Sequence, residues 1–200
     1  MKKITKAAIA GTVGAALLVG GAGSLAFWTD TATGPQIDIQ SGQLDLGTVG
    51  AGTWTIQQNA AGVSPGQAAS ATFAPASDKI VPGDVLTTTV SVPVTLDGKN
   101  IKAKFDVAVK ALVAGNTTAT AADTALITAL NTGGVKVTKI NGTAVAAGVT
   151  SANLTAGATV PVEISVTFPW GTAGEFNGAM LGKVKFQADY TLTQIPVATP

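Results

Sequence analysis

Apolar residues recur at every second position through much of this chain, and the chain contains no cysteine. Thr159 to Phe168 puts Val160, Val162, Ile164, Val166 and Phe168 on one side. Lys183 to Ile195 does the same with Val184, Phe186, Ala188, Tyr190 and Leu192. Period two is the spacing of a strand with one buried face and one wet face. Without disulfides, such strands must be held by core burial and ladder pairing. The pattern therefore predicts an all-β, mainly antiparallel fold.

Shorter stretches extend the pattern. Ile37-Asp38-Ile39 and Leu44-Asp45-Leu46 alternate apolar and acidic residues, as half-buried strands do, and Thr53 to Gln57 makes a strand around Trp54. Val85 to Leu96 is rich in β-branched residues, which suit a pleated surface. Pro93 within it lacks an N–H and so calls for an edge position or a bulge. Asp97-Gly98-Lys99-Asn100 reads as a turn, after which Ile101 to Leu112 returns with Phe105, Val107 and Val109 on one face; the pair is expected to form a hairpin. A helix is predicted over Ala119 to Asn131, stopped by Gly133-Gly134. Asn141-Gly142 joins Val135–Ile140 to Val145 as a type I′ turn. Trp170 to Gly182 is a glycine-rich excursion with a short helical turn. Roughly eight strands with one helical insertion predict a jelly-roll-like two-sheet β-sandwich, with an immunoglobulin-like sandwich as the nearest competitor. No fixed-period repeat points to a solenoid.

The N-terminus carries different chemistry. Lys2, Lys3 and Lys6 precede an uncharged stretch from Ala7 to Leu25, and Ser24 and Ala26 place small residues at the −3 and −1 positions of a cleavage site before Phe27. This is the layout of an export signal. The alternative is a retained membrane anchor, but Gly11, Gly14, Gly20, Gly21 and Gly23 weaken a spanning helix. The expected organisation is a signal at 1–26, a strand segment at 27–46, a β-sandwich at 47–195 and a loose tail at 196–200. Contact with the membrane is expected only through the signal before cleavage.

Composition removes several function classes. The full chain has 12 lysines, no arginine and 11 acids, a net charge of +1; loss of the three signal lysines turns this into a net charge of about −2. No lysine stripe interleaved with aromatics remains, so nucleic acid is not an expected partner. With no His and no Cys, a zinc peptidase would have only carboxylates as ligands, and its glutamates are just Glu163 and Glu175. No catalytic residues and no cofactor are assigned, and the chain is read as non-enzymatic.

The junction Ala26-Phe27-Trp28-Thr29-Asp30, the strand ending Gly42-Gln43-Leu44-Asp45-Leu46, the turn Val81-Pro82-Gly83-Asp84 and the late Val166-Thr167-Phe168-Pro169 together resemble the SipW-dependent exported proteins of Gram-positive bacteria, the TasA/camelysin (CalY) family. The specific part of the likeness lies between about Gly20 and Leu46, because the other stretches are common in β proteins. The resemblance implies export through a dedicated SipW-type signal peptidase, a jelly-roll fold, and an extracellular protein of the matrix or cell surface. It further implies a biofilm-fibre subunit in which the N-terminal segment of one copy completes a sheet of the next. Ile37, Ile39, Leu44 and Leu46 would be the alternate knobs of that donor strand. Their burial is worth on the order of 6–12 kcal/mol gross, before the cost of ordering and association. A head-to-tail contact of this kind does not close and yields a homopolymer. The alternatives are a strand that pairs within its own chain, and a monomeric secreted adhesin or ligand-binding sandwich.

Other residues carry groups with chemistry of their own. Asp30, Asp38, Asp45, Asp78 and Asp84 are oxygen ligands a calcium ion could use, but no Asp-x-Asp-x-Asp loop occurs and solvated strand and turn acids are the simpler reading. Lys104, Asn177 and Asp189 supply the residue types of an isopeptide crosslink without a spacing that joins them. Trp28, Trp54 and Trp170 are either a glycan platform or packing residues. Asn116, Asn141 and Asn153 each begin an Asn-x-Ser/Thr sequon.

Overall fold

The computed structural model describes residues 10–16, 32, 34–58 and 69–197. The chain divides into two units, Met1–Ile39 and Gln40–Pro200. In the first, residues 10–16 are helical and residues 34–39 form no strand. Ile37 and Ile39, expected on a half-buried strand, are 78% and 91% exposed; alternation alone cannot bury a side chain when no neighbouring strand pairs with it.

The second unit is an all-β, mainly antiparallel sandwich with a helical insertion. Its larger sheet contains β1 (Gln43–Leu46), β2 (Thr53–Gln58), β3 (Ala71–Thr72), β4 (Asp84–Asp97), β7 (Val135–Ile140), β8 (Thr143–Ala144) and β10 (Ala158–Thr167). The order is β3-β2-β4-β10-β7-β8, with β1 also paired to β4. The smaller sheet runs β12-β5-β9, from β12 (Ala188–Ile195), β5 (Lys102–Val109) and β9 (Ser151–Leu154). A two-stranded pair, β6 (Val113–Ala114) with β11 (Val184–Lys185), continues the β5–β12 ladder past a one-residue slip in register.

The two sheets face each other across one core. Val90, Val92 and Val94 of β4 and Val160, Val162 and Ile164 of β10 come from the larger sheet. Phe105 and Val107 of β5 and Leu154 of β9 come from the smaller one. Phe105 is fully buried and stacks on Tyr190, with ring centroids 6.0 Å apart. Each fully buried aliphatic contributes about 1.5–3 kcal/mol of hydrophobic stabilisation. The alternation legible in the sequence is therefore the alternation of the core.

One expectation is corrected. β4 and β5 do not form a hairpin, because they lie in different sheets. β10 runs along one flank of β4, while β1 and β2 share the other. No edge of β4 is left for β5, so the chain turns the corner at Gly98 and places Phe105 opposite the β4 valines instead of beside them.

β1 and β2 lie along the same flank of β4 as one strand broken in the middle. Leu46 pairs with Val94 and Thr53 with Thr89, so six residues on one strand face four on the other. This bulge answers the problem posed by Pro93. Its carbonyl accepts the Gly47 N–H at 2.9 Å, and its missing N–H points at the interruption, where no ladder bond is required. Gly52 sits there with φ +66, and a Cβ on it would lie 2.8 Å from Val90 Cγ2. Any other residue would be strained twice over.

The helix α1 (Ala121–Gly133) closes one end of the sandwich over a second cluster that includes Leu86, Leu112, Leu126, Leu130 and Phe168. Thr120 caps it: its hydroxyl accepts the Asp123 N–H at 3.1 Å while the Asp123 carboxylate accepts the Thr120 N–H at 2.9 Å. That reciprocal capping box fixes the helix start, two residues later than the apolar spacing alone suggests. Asn141 and Gly142 both have positive φ, as the predicted type I′ turn requires.

Candidate functional site

Two strand edges meet at one side of the sandwich. β1 is the end of the larger sheet there, and β12 the outer strand of the smaller one. Between them opens a cleft of about 560 Å³ lined by Leu46, Val49, Ala188, Asp189, Tyr190 and Thr191. Its floor is apolar because Leu46 and Val49 pack on the core from one sheet and Ala188 and Tyr190 from the other. Burial pushes the Tyr190 phenol up from its ordinary value, so it is neutral across the physiological range. Among the described residues β12 pairs only with β5, leaving the other flank of eight residues open. An open flank offers N–H and C=O groups to an added strand.

The expected donor residues divide between two environments. Leu44 and Leu46 lie on β1, opposite Leu96 and Val94 of their own chain, and are half-buried. Ile37 and Ile39 precede β1 and are exposed. Ser24, Ala26, Phe27, Trp28 and Asp30 lie outside the described residues.

The candidate calcium acids do not converge. Asp78 accepts the Ala74 N–H and Asp84 the Val81 N–H, each at 2.7 Å, so both carboxylates close local turns. Asp45 stands on the exposed face of β1, and Asp38 precedes that strand. Among the described residues no group of three His, Cys, Asp or Glu is placed to hold a metal ion. Glu163 is engaged by Lys139 at 3.0 Å and by Thr138 at 2.8 Å. Burial opposes its charge, but those two partners outweigh burial and keep its carboxyl below the ordinary range. Glu175 binds the Thr172 N–H and hydroxyl, which lowers its carboxyl as well.

The isopeptide residues are apart. Lys104 pairs with Asp106 at 2.7 Å, Asp189 with Lys110 at 2.6 Å, and Asn177 opens the short 3-10 turn Asn177–Ala179. Trp54 packs edge-on to Phe186 with centroids 5.6 Å apart and against the second core cluster, while Trp170 lies over Gly83 and is 42% exposed. Of the sequons, Asn116 gives its amide to both oxygens of Asp123 at 2.9 Å, which leaves that nitrogen no room for a glycan.

A buried carboxylate outside every candidate site carries four hydrogen bonds. Asp123 takes hydrogen bonds from the N–H groups of Lys183 and Thr120 and from the Asn116 amide. The Lys183 N–H is the largest of the influences that hold its carboxyl far below the usual range. The signal for it was present as Thr120-Ala-Ala-Asp123, a capping-box spacing. Its reach to Lys183 had no sequence signal.

Comparison of the chain with family models, with curated proteins and with solved structures finds no match. Among the described residues no helix is long and apolar enough to cross a membrane.

Proposed function

We propose that the chain is a secreted structural subunit of a bacterial surface or biofilm-matrix fibre, resembling the TasA/camelysin family, that assembles head to tail by donating its N-terminal segment to the next copy. The observation that carries the reading is the pair Ile37 and Ile39, exposed and two residues apart in a segment outside any helix or strand just before β1. Two large aliphatics at strand spacing, held by nothing, have the form of a ligand for a sheet edge. The cleft between β1 and β12, with the open flank of β12, has the form of a receptor for such a ligand. Export and release of Phe27 would fall to a SipW-type signal peptidase, and the tethered signal would delay assembly until then.

A second reading draws on the pairing of Gln43–Leu46 with β4 inside the chain. A strand already satisfied at home suits a monomeric secreted adhesin or ligand-binding sandwich.

Electron microscopy of the chain from Phe27, beside one from Gln40 that retains β1, separates the two. Filaments from the longer chain alone are expected for the fibre subunit. Monomers from both, with a seed of preformed fibre added, would give the adhesin reading precedence.

A further inference from the structure

We infer that the turn Met180–Leu181, with Lys183 and Lys185 behind it, is a docking tip for an anionic lipid surface. The turn is a type II β-turn: the Gly182 N–H donates to the Ala179 carbonyl at 3.1 Å, Met180 has φ −59 and ψ 134, and Leu181 has φ +65. The third position of such a turn calls for glycine. Among the described residues the positive-φ positions are otherwise eight glycines and Asn141, so Leu181 is the one bulky side chain held in a conformation L-residues avoid. Packing does not account for it, since Leu181 is 83% exposed and Met180 65%. Neither the backbone nor the core has a use for a leucine here, and a contact outside the chain does.

The turn is rigidly mounted. Ala179 is buried beneath it, a Cβ on Gly182 would collide with the Ala122 carbonyl, and Asp123 holds the next N–H, that of Lys183, at 2.7 Å. Lys183 and Lys185 are exposed and alternate with Val184 and Phe186, which turn into the core. Val113 is the direct partner of Lys185 across the ladder, shares its outward face and is 54% exposed. Neither lysine has an ion-pair partner among the described residues. Asp123, whose carboxylate accepts the Lys183 N–H, is buried and committed to hydrogen bonds.

Soft apolar side chains at a tip with unpaired lysines behind them complement the acyl boundary and phosphate layer of an anionic bilayer. This contact does not depend on strand exchange.

The chain has no cysteine, so Met180→Cys creates a unique site for a polarity-sensitive fluorophore in the full-length protein. Its emission is expected to shift to the blue with vesicles of phosphatidylcholine mixed with phosphatidylglycerol, and not with phosphatidylcholine alone. A label at Ser91→Cys, on the outward face of β4, should not shift. Adding Leu181→Gly should raise the lipid concentration needed about tenfold, and Lys183→Glu with Lys185→Glu should do so by a similar factor. Leu181→Gly should leave Tm unchanged or higher. An equal shift on neutral vesicles or at Ser91→Cys overturns the proposal, as does a lower Tm for Leu181→Gly. A shift without lipid that grows with protein concentration also overturns it, and would place the tip in a contact between copies.

Discussion

The Asp123 carboxylate accepts the backbone N–H of Lys183 at 2.7 Å, across 60 residues of sequence. The same carboxylate completes the capping box with Thr120 and receives the Asn116 amide. One side chain thus ties the loop after β6, the start of α1 and the approach to β11.

Removing it should therefore cost more than removing a cap. Thr120→Ala is expected to destabilise by about 1 kcal/mol. Asp123→Ala should lower Tm further than that, because it also strands the Lys183 N–H and the Asn116 amide. Calorimetry of the two variants checks the order; a smaller effect at Asp123 would show that water replaces the carboxylate freely.

Stability should depend on pH at the acid end, through three carboxylates. The Asp123, Glu163 and Glu175 carboxyls are all held below their ordinary values in the folded chain. Groups with depressed folded values stabilise fully above their unfolded range, and that contribution is lost as pH falls through it. Without histidine or cysteine, no side chain has its ordinary value between about pH 5 and 8. Tm should be flat across that window and fall below about pH 4, and Asp123→Asn should make the fall shallower.

Thr88 points the other way. Its hydroxyl is buried, faces the core from β4 and has no hydrogen-bond partner among the described residues. Thr88→Val keeps the shape and removes the orphaned group, so it should stabilise by about 1 kcal/mol, raising Tm by about 3 °C. A loss of stability on thermal melting would reveal a buried water bound to Thr88.

Locking β1 tests the fibre reading. Asp45 and Thr95 are direct partners across β1 and β4, so Asp45→Cys with Thr95→Cys should form a disulfide. If all four donor residues are exchanged, the oxidised chain from Phe27 stays monomeric and reduction restores filaments. Filaments under oxidising conditions would confine the exchanged part to residues before Gln43.

Much of the sandwich was legible because burial imposes its period on the sequence. The core face of β10 reads directly as alternating valine and isoleucine, while apolar spacing put the helix start two residues before the one its Thr120 cap fixes. The short strands β3, β6 and β9 had no comparable signal, since their pairing is dictated by a neighbour's edge more than by their own residues. The candidate site was half legible. Ile37, Ile39, Leu44 and Leu46 stood out as a series, yet only the last two have a paired neighbour.

The sequence by itself determined the class of fold, the inward faces of β5, β10 and β12 and the glycines that stop the helix, because these depend on spacing along one segment. Tertiary structure alone decided that β4 and β5 belong to opposite sheets, that Pro93 faces a bulge, that Asp123 reaches Lys183 and that β12 keeps an open flank. Each of those turns on which edges are already occupied when a strand arrives, and occupancy is a property of the assembled sheets.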